Sequence, residues 1–143
     1  LAAEPHPGRR GRGFATMNKP ESRAVIRAGH GMPTRMKPHE YQLVLTTCPD
    51  TEAAERVALA LVQERLAACV NILPVAKSIY LWKGQVESAT EQLLIIKSMA
   101  RAFRAIRKRI RELHPYELPE VIAVPIADGL PDYLAWIRNP DKT

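Results

Sequence analysis

Much of what classifies a protein is scarce in this chain of 143 residues. No apolar run approaches the ~18 residues that a membrane-spanning helix requires. The longest, around Leu93 to Ile96 and Val121 to Ile126, are strand-sized, so no membrane partner is expected. Only two cysteines are present, Cys48 and Cys69, with no C-x-x-C. They are too few for a disulfide framework and point to a reducing, cytoplasmic setting. There is no Gly-rich phosphate loop, no G-x-S-x-G and no Cys–His pair in a signature context. A catalytic role is therefore not expected.

A surplus of one charge is also missing from most of the chain. The formal net charge is +6, yet residues 1–39 hold eight Lys/Arg against Glu4 and Glu21, while residues 40–143 hold thirteen of each sign. Nucleic-acid binding needs positive charge on a folded surface, where it displaces counterions from phosphates. No nucleic-acid partner is expected. Arg101, Arg104, Lys108 and Arg111 follow one another at steps of three and four, which places them along one helix face. A solvated surface explains them; RNA binding is the sharper alternative, without the interleaved aromatics it calls for. Residues 1–39, rich in Gly, Pro and Arg, read as a disordered basic tail, of upstream or vector origin.

The folded part is expected over residues 40–143. Tyr41 to Thr47 is a β-prone run closed by Cys48-Pro49-Asp50, and Asp50 is placed to cap a helix. Ala54, Val57, Ala58, Leu61, Val62 and Leu66 recur at helical spacing, which predicts a first helix running to Ala67. Val70 to Trp82 and Gln85 to Lys97 read as two long strands about a Lys83-Gly84 turn, the first interrupted by Pro74. Ser98 is expected to cap a second helix with an inward stripe of Phe103, Ile106, Ile110 and Leu113. Glu120 to Ile126 reads as a fourth strand and Tyr133 to Ile137 as a short closing helix.

The order β-α-β-β-α-β is that of an α+β, ferredoxin-like sandwich. Its second and fourth strands lie at the sheet edges, where proline is tolerated. Pro74 and Pro125 fall in those two strands. The long hairpin is too polar near its turn to build a private core, which predicts pairing with sister chains into a closed ring.

Three stretches carry a more specific signal. They are Leu66-Ala67-Ala68-Cys69-Val70-Asn71-Ile72 leading to Ser78-Ile79-Tyr80-Leu81-Trp82-Lys83-Gly84; His114-Pro115-Tyr116-Glu117-Leu118-Pro119-Glu120 running into Ile122-Ala123-Val124-Pro125-Ile126; and Tyr133-Leu134-Ala135-Trp136-Ile137. With Glu91, Leu94 and Lys97 between them, residues 41–137 resemble the CutA family of divalent-cation tolerance proteins. The resemblance implies a ferredoxin-like subunit, a homotrimer joined by strand pairing, and a link to tolerance of copper and other divalent cations. It also implies a similarity to trimeric nitrogen-regulatory signalling proteins.

Family members credited with copper binding use a cysteine near the end of the first strand and a His-His pair before Pro-Tyr. Here Thr46 takes the cysteine position with Cys48 two residues on, and Leu113 precedes His114. His114 and Cys48 are thus the candidate ligands for copper or another divalent cation, which folding does not require. The plainer readings are a small buried residue before a helix cap for Cys48, and an imidazole at a helix C-terminus for His114. A second constellation is Trp82, Glu91, Lys97, Tyr116 and Glu120, read as lining a polar cleft for an unknown small ligand where subunits meet. Its alternative is interface packing, with Lys97 pairing a carboxylate.

Overall fold

A computed structural model describes residues 39–142, so all of the expected basic tail except His39 lies outside the described residues. The elements are β1 (Tyr41–Cys48), α1 (Thr51–Gln63), β2 (Cys69–Trp82), β3 (Gln85–Met99), a 3-10 turn (Ala100–Ala102), α2 (Phe103–Leu113), β4 (Ile122–Pro125) and α3 (Pro131–Arg138). The sheet order is β2-β3-β1-β4, with every neighbouring pair antiparallel. This is the ferredoxin-like arrangement. Pro74 and Pro125 both sit on its edge strands, where a missing N–H interrupts no inner ladder.

β1 alternates strictly. Gln42, Val44, Thr46 and Cys48 are buried against the helices, and the intervening residues are half-buried on the other face. Beneath that inner face lie Val57 and Leu61 of α1 and Ile106 and Ile110 of α2, all fully buried, with Leu94 and Ile96 of β3. α3 covers part of the opposite face, where Lys97 Nζ lies 5.6 Å from the Tyr133 ring centre and the Arg138 guanidinium 5.6 Å from that of Tyr41.

α1 begins where expected: the Asp50 carboxylate accepts the Ala53 amide at 2.8 Å. It ends at Gln63, short of Ala67. Arg65 adopts φ 60°, its amide reaches Val62 O at 3.1 Å, and the Leu66 amide reaches Leu61 O at 2.9 Å. These bonds satisfy the last carbonyls in a left-handed closure that usually announces itself by glycine. An arginine there conceals the stop from a reading of periodicity.

Ser98 does not cap α2. It is buried inside β3, opposite Gln42, and its hydroxyl accepts from Gln42 Nε2 at 3.1 Å. A buried amide must be paired, and only Ser98 within the ladder, with the Met99 carbonyl at 3.2 Å, supplies those acceptors. β3 therefore continues to Met99, and the chain enters α2 through the 3-10 turn with no side-chain cap.

Truncating a core side chain should cost more than removing the α1 cap. Ile110→Ala is expected to destabilise by about 2–5 kcal/mol and Asp50→Ala by about 1 kcal/mol, both read from the urea midpoint at unchanged slope.

Candidate functional site

The β2–β3 ribbon carries two unlike faces, and an irregularity in β2 decides which residues share each. Leu73 pairs with Leu93 and Ala76 with Glu91, so Pro74 and Val75 together oppose the single Gln92. This is a β-bulge, with Val75 at φ 60°. The extra residue inverts the alternation of β2 beyond it. Ala76, Ser78, Tyr80 and Trp82 come to share a face with Glu91, Ala89, Glu87 and Gln85, their cross-strand partners. Ile79 and Leu81, with Val86, are thrown onto the opposite face and stand exposed there. The ribbon closes in a two-residue turn in which Lys83 (φ 49°) and Gly84 (φ 79°) are both left-handed, the form whose twist matches the strands.

On the aromatic face lies a cleft of about 640 Å³, closed on one side by the loop that follows α2. Three rings line it, Tyr80, Trp82 and Tyr116, along with four carboxylates, Glu87, Glu91, Glu117 and Glu120. No Lys, Arg or His is among its described lining residues.

Glu91 is the deepest carboxylate, only 7% exposed, and it accepts the Tyr116 hydroxyl at 2.9 Å. Burial, and then this hydrogen bond and the charge of Glu91, push the Tyr116 phenol up to about 12. Tyr116 is held in turn by His114. Its amide donates to His114 Nδ1 at 3.0 Å, so the ring proton is on Nε2, which donates to the Thr47 carbonyl at 2.7 Å. The end of α2, the end of β1 and the cleft loop thus form one connected unit.

Of the residues singled out in the sequence, Trp82, Glu91, Tyr116 and Glu120 are brought together in this cleft. Lys97 is not. It lies six residues from Glu91 along β3, a span of about 20 Å for an extended strand, and stacks on Tyr133 instead. Tyr80, Glu87 and Glu117 are additional members. The alternating Ser78-Ile79-Tyr80-Leu81-Trp82 was the signal for Tyr80, but alternation alone leaves open which half faces Glu91.

Cys48 and His114 do meet, with Sγ 3.7 Å from Nε2, and both are buried. Their donors are already engaged. Burial, and then the neighbouring Asp50 and Glu91, push the Cys48 thiol up to about 11, so it stays protonated. Both ring nitrogens of His114 are bonded to backbone. Thr46, at the position of the family's cysteine, is fully buried and offers a hydroxyl without a partner among the described residues. Copper or zinc wants three or four free N or S donors, and no group of three or more His, Cys, Asp or Glu suited to a metal occurs among the described residues. This donor set does not fit a resident metal.

A ferredoxin-like α+β subunit with an overlong, two-faced ribbon and an acidic, aromatic cleft is thus defined. The family model of the CutA1 divalent ion tolerance protein matches residues 42–140. The chain is similar to the divalent-cation tolerance protein CutA of Thermus thermophilus, at 50% identity over 98 residues, covering 68% of this chain and 95% of that one. It is similar also to protein CutA of Mus musculus, at 43% identity over 102 residues, covering 71% of this chain but only 58% of that longer relative. The crystal structure of CutA from Xylella fastidiosa superposes with a TM-score of 0.68 at 49% identity, over 69% of this chain and 95% of that one. The chain belongs to the CutA1 divalent ion tolerance family.

The raised phenol gives a pH signature. Among the four tyrosines, Tyr116 should ionise near pH 12 and not near 10, as read by ultraviolet titration of the folded protein. Between those values the native state holds a proton that the unfolded chain has released. This contribution to stability is therefore complete below pH 10 and lost as pH rises through about 12. Glu91→Leu should bring the late transition down without returning it fully to 10, because burial remains.

Proposed function

We propose that this protein supports tolerance of divalent cations as a non-catalytic, cytoplasmic homotrimer whose cleft takes a small ligand. The observation that carries the reading is the 50% identity to the Thermus protein named for divalent-cation tolerance, across 95% of its length. In this reading the cation is what the cell is protected from, and no metal resides at Cys48 and His114. Copper contact is weak and peripheral. A regulatory module answering to the cleft's ligand, or an interaction scaffold, remains the alternative.

Two features favour assembly. The outer edge of β2, fourteen residues long, pairs with no strand among the described residues, and open edges of that length invite another chain. One face of the same ribbon presents Ile79, Leu81 and Val86 at 69%, 73% and 73% exposure, a contiguous apolar surface of the kind that marks an interface. Sister chains covering edge and face together would leave the opposite, aromatic face as the wall of the cleft.

Light scattering should give a mass three times the 16.0 kDa chain. The double substitution Ile79→Asp and Leu81→Asp should reduce it to that of one chain while far-ultraviolet circular dichroism keeps its shape. A single-chain mass for the unaltered protein at micromolar concentration removes the trimer.

For the biological role, cells lacking the gene should stop growing at lower copper concentrations than the same cells complemented with it. Equal growth sinks the tolerance reading. Cu(II) titration of the purified protein and of His114→Ala should give the same weak binding; a stoichiometric, His114-dependent site would overturn the reading of those donors.

A further inference from the structure

The cleft has a chemistry that none of its relatives' names describes. Its described lining comes from the bulged face of the ribbon and from the loop carrying Tyr116, Glu117 and Glu120. It is one-signed: four carboxylates contribute to its wall and no described cation does. The innermost, Glu91, is more than nine-tenths buried, yet forms no ion pair with any described residue and has the Tyr116 hydroxyl as its described hydrogen-bond donor. A buried carboxylate without a counter-charge is costly. That cost falls when a cationic guest enters.

The kind of cation is set by what lies between the carboxylates. They do not converge in threes as ligands for a single metal ion among the described residues. They share the cleft wall instead with the rings of Tyr80, Trp82 and Tyr116. Aromatic faces attract ammonium groups and pack against methylene chains, whereas a hydrated divalent ion gains little from them. The volume of about 640 Å³ lies well inside the range of small-molecule sites and is far larger than one ion needs. The chain's own competitor is weak: Lys83 Nζ stands 5.9 Å from the Trp82 ring centre, at the outer limit of a cation–π contact.

We infer that the cleft binds an aliphatic polyamine, an organic cation whose spaced ammonium groups meet Glu91 and the loop carboxylates while its methylene segments lie on Trp82 and Tyr80. The inference rests on the cleft being the ligand site of the proposed function, and it names the ligand's class.

Isothermal titration of the full chain with spermidine, and separately with magnesium chloride at the same ionic strength, tests it. Spermidine should bind at one site per chain, and magnesium at least roughly tenfold more weakly. Glu91→Gln and Trp82→Ala should each weaken spermidine binding by roughly tenfold. The exposed Glu120→Gln, which leaves the packing alone, should weaken it severalfold and so keeps the test valid if Glu91→Gln fails to fold. Absence of spermidine binding, equal binding of magnesium, or binding indifferent to Glu120→Gln and Trp82→Ala overturns the inference. A trimer that confers cation tolerance but ignores spermidine removes this inference alone. A chain that binds spermidine yet confers no tolerance removes the function proposed above and leaves the cleft's chemistry standing.

Discussion

One inserted residue organises the functional half of this molecule. Without the bulge at Pro74 and Val75, Ile79 and Leu81 would share the face of Glu91, and Tyr80 and Trp82 would point the other way. The same sixteen-residue stretch from Cys69 to Gly84 would then set Ile79 and Leu81 beside the cleft's carboxylates and leave the aromatic rings on the outer face. The bulge lies on an edge strand, where Pro74 has no inner ladder to break and Val75 can take a left-handed backbone while largely exposed. The ribbon thereby presents one face suited to other chains and one suited to a ligand.

The second constraint is the junction at His114. Its imidazole accepts from the Tyr116 amide and donates to the Thr47 carbonyl, so the last turn of α2, the last residues of β1 and the cleft loop are tied through a single side chain. Tyr116 passes the connection to Glu91 on β3. A chain of part-buried bonds of this sort fixes the positions of its members. It also accounts for the Cys48 thiol: packed beside His114 beneath the junction, it is held protonated by its surroundings and serves as core.

Charge neutrality of the folded part conceals a marked separation. Arg101 in the 3-10 turn and Arg104, Arg107, Lys108 and Arg111 along α2 are exposed, whereas the loop directly after that helix turns Glu117 and Glu120 toward the cleft. Arg109 alone on that helix is drawn into pairs, with Glu64 at 2.9 Å and Glu112 at 3.1 Å. The balance of thirteen charges of each sign therefore says little about what any one surface attracts.

Periodicity and chemistry along the chain were enough to reveal the β-α-β-β-α-β order, the edge positions of Pro74 and Pro125, the Asp50 cap and the inward residues Ile106 and Ile110, since each depends on near neighbours or on a regular repeat. Trp82, Glu91, Tyr116 and Glu120 were also visible, grouped with Lys97, as rings and charges suited to a polar cleft. Three matters were settled only by contacts between residues distant in sequence: Ser98 belongs to the sheet because Gln42, fifty-six positions away, needs its hydroxyl; Lys97 stands over Tyr133 and away from the cleft; and Cys48 and His114 spend their donor atoms on the protein itself. A strand pattern records which residues alternate, but not the face to which either half is turned. That choice belongs to register, and register is fixed by the partner strand.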